Sequence, residues 1–223
     1  METSKTVVLS SGGLDSTVLL HQTHERGGAL PLFVDYGQRW REAERKAARA
    51  QCRALGLELR ELDASTIHAA MDADPTRRLA SPLPHRNLVL TTLALSYAES
   101  VRAEHVVTAV IRDDLGSYSC TLPSFWFALR DLAASFSAIS VETPFIHLDK
   151  VAVISEGLRL GVDLAQTYTC LSGFEQHCGI CRQCVLRRRS AGRAGLVEPD
   201  GFYLHDASAR GQLREHALAA RTG

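Results

Sequence analysis

The chain has 223 residues, a hydrophobic fraction of 45%, and 25 basic against 25 acidic side chains. That length and apolar content suit one sizeable domain with a small appendage. Zero formal charge argues against a nucleic-acid binder, no apolar run approaches the ~20 residues that span a bilayer, and Met1–Lys5 lacks the pattern of a secretion leader, so a cytoplasmic protein is expected.

Residues 5–10 read as a short buried strand and 16–26 as the helix that follows two glycines. A strand at 30–35, a helix at 41–55 rich in helix formers and a strand at 57–62 come next. The stretch to Pro84 reads as a loop. Then come a helix at 87–101, a strand at 105–110, a helix at 122–135, a strand at 139–143 and a helix at 150–160. Short apolar strands alternating with helices predict an α/β fold: a parallel sheet with helices on both faces. We place this domain at 1–167 and a cysteine-bearing segment and tail at 168–223, with a short helix near 212–221.

The segment Ser10–Thr17 falls between the first strand and its helix. Gly12 and Gly13 let the backbone turn tightly and bring N–H groups toward phosphate, the helix N-terminus adds free donors, and Ser11, Ser16 and Thr17 add hydroxyls. Asp15 would repel a bare phosphate, but fits if Mg²⁺ lies between them. The plainer alternative is a turn in which Asp15 or Ser16 caps the helix. The order strand, loop, helix favours phosphate binding, and the loop is neither a Walker A nor a dinucleotide motif.

The second strand ends in Asp35, Tyr36, Gly37, Gln38 and Arg39, on the sheet edge where ligands bind. Arg39 is a candidate phosphate contact. Lys150 follows the fifth strand, in a chain with only three lysines among its 25 basic residues, and offers a compact charge for phosphate. Cys170, Cys178, Cys181 and Cys184 place four thiols within fifteen residues, the pattern of a closed structural Zn²⁺ site. A redox pair and an iron–sulfur cluster are the alternatives. His177 reads as a spectator, Cys52 as a core thiol, and Arg187–Arg189 as a solvated helix face.

The Ser11–Thr17 loop closely resembles the PP-loop of the N-type ATP pyrophosphatases, which adenylate a carbonyl or carboxylate oxygen. Asp35–Arg39, Arg86-Asn87, Thr143-Pro144, Leu148-x-Lys150 and the Cys170…Cys184-x-Leu-Arg187 block resemble, in order, those of the QueC (7-cyano-7-deazaguanine synthase) family, to about residue 195. The resemblance implies an adenine nucleotide alpha-hydrolase-like (HUP) fold, a homodimer, ATP, Mg²⁺ and Zn²⁺. It implies conversion of 7-carboxy-7-deazaguanine to the nitrile: adenylation of the carboxylate, displacement of AMP by ammonia, and dehydration of the amide with a second ATP. Leu14 belongs to the nucleotide loop. Asp15, Lys150, Arg39 and Arg86 become candidate catalytic groups, and Arg86, Asn87, Asp114 and Tyr118 candidate substrate contacts. The chain departs from the family at His85, where the family has glycine, and at Gly116–Leu122, where the family reads Ser-Gly-Tyr-Pro-Asp-Cys-Arg. Those departures open a variant in which the activated carboxylate passes to a protein amine, as in QueC-like relatives of antiviral defence loci. A tRNA-thiolating enzyme conflicts with the neutral charge; a catalytically decayed ATP-binding scaffold conflicts with the intact Asp15 and Lys150.

Overall fold

The computed structural model describes residues 4–67 and 83–205; the helix expected near 212–221 lies outside the described residues. Five strands form one sheet: β1 (Thr6–Leu9), β2 (Ala29–Asp35), β3 (Arg60–Asp63), β4 (His105–Val107) and β5 (Ser140–Glu142). Their order is β3-β2-β1-β4-β5 and every pairing is parallel. The helices are α1 (Leu14–Arg26), α2 (Arg41–Ala54), α3 (Arg86–Val101), α4 (Pro123–Ala134), α5 (Lys150–Arg159) and α6 (Arg182–Ala194).

Alternate residues of each strand feed two cores. Val8 and Val107 face a core with Leu14, Val18 and Leu19 of α1, Cys52 of α2, and Val153 and Ile154 of α5. Val7, Leu32, Val34, Val106 and Val141 face the other, with Ala94, Leu95 and Ala98 of α3 and Ala133 of α4. A sheet covered on both faces needs the near-continuous apolar strands seen in the sequence. The chain winds outward from β1 to β3, then returns to β4 on the other side of β1. The strand order therefore reverses between β1 and β4, and a crevice opens there at the C-terminal strand ends.

Strand β4 stops at Val107 rather than residue 110, most other ends move by one residue or less, and two shifts have a visible local cause. α1 begins at Leu14 rather than residue 16, because Gly13 is the extended cap whose carbonyl accepts the first helical bond, from Thr17 N–H at 3.0 Å. β3 begins at Arg60 rather than Leu57: Gly56 turns at φ 65 and the Leu57 N–H returns 2.9 Å to the Cys52 carbonyl, closing α2. Cys52 is a core thiol, 1% exposed.

The segment after residue 167 is packed into the fold. α6 lies against α5 and buries Ala191 in the first core. Arg187 corrects the expectation of a solvated face, since it is 0% exposed. Its guanidinium donates to Glu198 at 2.6 Å, to Thr167 Oγ1 at 2.8 Å, to Thr169 Oγ1 at 3.1 Å and to the Leu164 carbonyl at 2.7 Å. It also lies 4.6 Å from the Phe202 ring centre. A buried charge survives only where donors and charge are matched, and here they are. Arg187→Ala strands the Glu198 carboxylate and several acceptors. It should lower stability by roughly 3–5 kcal/mol in a denaturant titration, whereas Arg189→Ala, on an exposed side chain, should change it by less than about 0.5 kcal/mol.

Candidate active site

The crevice holds a cavity of about 420 Å³, within the range of small-molecule sites. Its walls come from the loop after β1, the ends of β2 and β4, the start of α3, the segment 114–121, Lys150, and residues 168–171 and 182–183.

The loop after β1 is held by contact on both sides. Gly12 has φ 73, and a side chain there would overlap the Glu44 carbonyl and the Ala48 amide of α2. Its own carbonyl accepts from Tyr168 N–H at 2.9 Å. Ser11 and Ser16 share a hydroxyl bond of 3.0 Å, and Ser16 donates 3.0 Å to the Gly13 carbonyl. The N-cap of α1 is a glycine with no side-chain cap, so the first-turn N–H groups carry no side-chain acceptor. Ser11, Gly13, Leu14, Asp15 and Ser16 border the cavity; Gly12 and Thr17 lie behind it.

Asp15 and Lys150 meet across the crevice with Nζ–Oδ2 2.5 Å, although 135 positions separate them. Lys150 is 4% exposed, and its N–H donates 2.7 Å to Asp113. Asp149 caps α5 through Ala152 N–H at 2.8 Å and pairs with Arg112 at 2.8 Å. Asp15 Oδ1 is buried without a hydrogen-bond partner among the described residues. A free carboxylate oxygen beside uncapped helix amides suits a cation–phosphate pair.

Arg86 and Asn87 open α3 and border the cavity. His85 before them stands at φ 51, a left-handed conformation that costs a non-glycine residue about 1 kcal/mol, which accounts physically for the glycine of the family pattern. Arg86 lies by Tyr36 and Glu44; burial drives the Tyr36 hydroxyl up to about 12 against the pull of Arg86. Asn87 donates 2.8 Å to the Cys120 carbonyl and so holds the 119–121 turn. Asp114 borders the cavity, and burial, with Asp15 adding repulsion, raises its carboxyl above the usual carboxylate range. Tyr118 is at the rim, 51% exposed.

The second-strand motif divides. Tyr36 and Gln38 border the cavity; Asp35, Gly37 and Arg39 do not. Asp35 is occupied by Arg45 at 2.5 Å and by Gly37 N–H at 2.9 Å, and so shapes the turn. Arg39 is exposed and packs beside Gly173.

The sulfurs of Cys170, Cys178, Cys181 and Cys184 lie within 4.8 Å of one another. A tetrahedral Zn²⁺ shell with bonds of 2.3 Å spaces them roughly 3.8 Å apart, so the cluster fits such an ion. Gly179 turns at φ 80 between two of them. His177 stands outside the four-sulfur cluster, as expected of a spectator, and is buried: it accepts from Thr169 N–H at 3.0 Å and stacks on Phe202 at 4.3 Å. Burial, reinforced by Arg187, lowers its imidazole to about 4, so it is neutral at pH 7. Cys170 itself borders the cavity, which joins the metal segment to the site.

Sequence reasoning missed Glu44, Asp113, Trp126 and Arg182. Glu44 has no motif spacing to mark it and reaches the site only because α2 packs on Gly12. Arg182 bonds Ser117 Oγ at 3.0 Å across the cavity mouth.

Gly12→Ala should cost at least about 2 kcal/mol in thermal unfolding, because backbone atoms cannot yield as a side chain can. Cys178→Ser should abolish bound metal by elemental analysis and lower the melting temperature; Cys52→Ser should leave the metal content intact.

The family described as "Queuosine biosynthesis protein QueC" matches residues 5–195. The 7-cyano-7-deazaguanine synthase of Psychromonas ingrahamii is 31% identical over 216 residues, 89% of this chain and 97% of that protein. The synthase of Ruegeria pomeroyi is 34% identical over 217 residues, 89% and 94%. Among solved structures, the U34-tRNA thiolase NcsA of Methanococcus maripaludis, with its [4Fe-4S] cluster, aligns with a TM-score of 0.53 at 15% identity, covering 87% of this chain and 73% of that one. NMN synthetase of Francisella tularensis aligns at 0.51 and 13% identity, covering 90% of each chain. At those identities the likeness is one of fold, whereas the family match spans both the cavity walls and the four cysteines. The chain belongs to the QueC family.

Proposed function

We propose that this protein activates the carboxylate of 7-carboxy-7-deazaguanine with ATP and carries it, with ammonia, to the 7-cyano product. The observation that carries this reading is the crevice in which the uncapped α1 terminus, the Asp15–Lys150 pair and Arg86 share one cavity, in a chain of this family.

The backbone N–H groups after Gly12 hold the phosphates that leave as pyrophosphate. Asp15, with its unpartnered oxygen, holds Mg²⁺, which supplies charge neutralisation at those phosphates. Lys150, moored by Asp113, adds a fixed positive charge beside them. Arg86 receives the substrate carboxylate, for which its fork is suited. Asp114 accepts from the adjacent N–H groups of the guanine-like edge. Asn87 supports the wall through Cys120, and Tyr118 covers the outer side. In the first half, a carboxylate oxygen attacks the α-phosphorus, pyrophosphate leaves, and the acyl-adenylate forms. Ammonia then forms the C–N bond as the C–O bond to AMP breaks. The amide oxygen then attacks the α-phosphorus of a second ATP, pyrophosphate leaves, and the nitrile forms as the nitrogen sheds its two protons and AMP departs with the oxygen. The four cysteines hold Zn²⁺ as a structural ion that keeps residues 168–171 and 182–183 against the cavity. Arg39 and Asp35 have no direct role in this scheme.

The test is mass spectrometry of a reaction containing the protein, MgATP, 7-carboxy-7-deazaguanine and ammonium. AMP with the 7-amido and 7-cyano products is expected. Asp15→Ala and Lys150→Ala should each lower AMP formation at least about 100-fold, while Arg39→Ala should stay within about threefold of the parent. An untouched carboxylate, with AMP at background, would overturn the assignment.

A further inference from the structure

The scheme above leaves one step without a group on the protein: the nitrogen that attacks the acyl-adenylate must shed a proton. Asp15 is occupied by Lys150, and Asp114 faces the base edge in that scheme. Glu44 is the remaining carboxylate that borders the cavity among the described residues.

Its position is fixed from three sides. Its backbone carbonyl lies against Gly12, so α2 cannot move away from the phosphate loop without opening that contact. Its carboxylate accepts from Gln38 Nε2 at 3.0 Å, and Gln38 is itself held by Tyr36 N–H at 3.0 Å. Arg86, the group assigned to the substrate carboxylate, is an electrostatic neighbour of Glu44. The carbonyl carbon under attack therefore sits beside Glu44 when the substrate is on Arg86. Tyr36, Trp40, Asp35 and Tyr168 complete its polar surroundings.

We infer that Glu44 is the general base of the amine-transfer step: its carboxylate takes the proton lost by ammonia as the C–N bond forms and the C–O bond to AMP breaks, AMP leaving with the electron pair. This rests on the adenylation reading of the site. The environment suits a base. Burial raises the carboxyl to about 7, opposed by the Gln38 amide, Arg86 and the Trp40 indole, with Asp35 adding a push upward. A base with affinity near the working pH is the efficient one. The carboxylate form is the active one, so the ammonia-dependent rate gains a limb that rises with pH through about 7.

Two assays separate this inference from the reading beneath it. Carboxylate-dependent exchange of labelled pyrophosphate into ATP, without any amine, reports adenylation alone. Trapping with hydroxylamine reports access to the acyl-adenylate by a nucleophile whose protonated nitrogen loses its proton to water unaided. With free ammonia held constant across the pH series, Glu44→Gln should lower ammonia-dependent amide formation about 100-fold or more and remove the rising limb. Its exchange and hydroxamate formation should stay within a few-fold of the parent, and Glu44→Asp should recover part of the ammonia rate. Ammonia use undiminished in Glu44→Gln overturns the inference. So does an equal loss of exchange, hydroxamate and amide in Glu44→Gln and Glu44→Asp alike, which would make Glu44 a packing residue. Absence of exchange in the parent protein would instead overturn the adenylation reading itself.

Discussion

Gly12 is the point at which the architecture closes. Its α-carbon lies against two backbone atoms of α2, and its carbonyl takes the N–H of Tyr168 at the head of the cysteine segment. Three parts of the chain that are remote in sequence therefore meet where no side chain fits. The consequence is geometric: the loop after β1, the helix bearing Glu44 and the segment bearing Cys170 are held against one another through backbone contacts. Backbone-to-backbone contact is stiffer than side-chain packing, because no rotamer can absorb a displacement.

From that junction the electrostatics of the cavity follow. The uncapped start of α1 offers N–H groups and a partial positive charge. Lys150, almost fully buried, is tolerated because Asp15 faces it and Asp113 anchors its backbone. Carboxylates and cations thus alternate around the walls: Asp15 with Lys150, Glu44 with Arg86, Asp114 between them. Such alternation holds charge at low dielectric without one large uncompensated field. Burial lifts the carboxyls of Asp114 and Glu44 toward neutrality.

The cysteine segment is a wall of the site rather than an appendage hung from the domain. Arg187 ties α6 to Thr167, Thr169 and Leu164, and Ala191 enters the first core. The four clustered sulfurs, which could hold a metal, therefore lie in the same segment that forms the cavity edge. The departures from the family at 116–122 fall on the facing edge, where Arg182 reaches Ser117. The altered stretch and the cysteine segment border the same mouth.

Much of this was legible in the residues. Short apolar strands alternating with helices announced a parallel sheet, because central strands buried on both faces, as β1 and β2 are, read as nearly continuous apolar runs; the edge strand β3, Arg-Glu-Leu-Asp, carries no such signal. The loop after β1 and the four cysteines stood out because each is a local pattern: its polar groups sit within a few residues and need no partner from elsewhere. What the residues could not reveal is which distant groups share a wall. Arg187 looked solvated because an arginine run is polar by composition, yet its partners lie 11 to 23 positions away. Arg39 looked like a phosphate ligand because of its place after β2, yet the turn made by Asp35 and Gly37 directs it outward. Glu44 looked like one charge among many on a helix of charged residues, and became a cavity group only through the packing of α2 on Gly12. Local chemistry is written in spacing along the chain, while proton affinity and burial depend on neighbours that only the fold brings together.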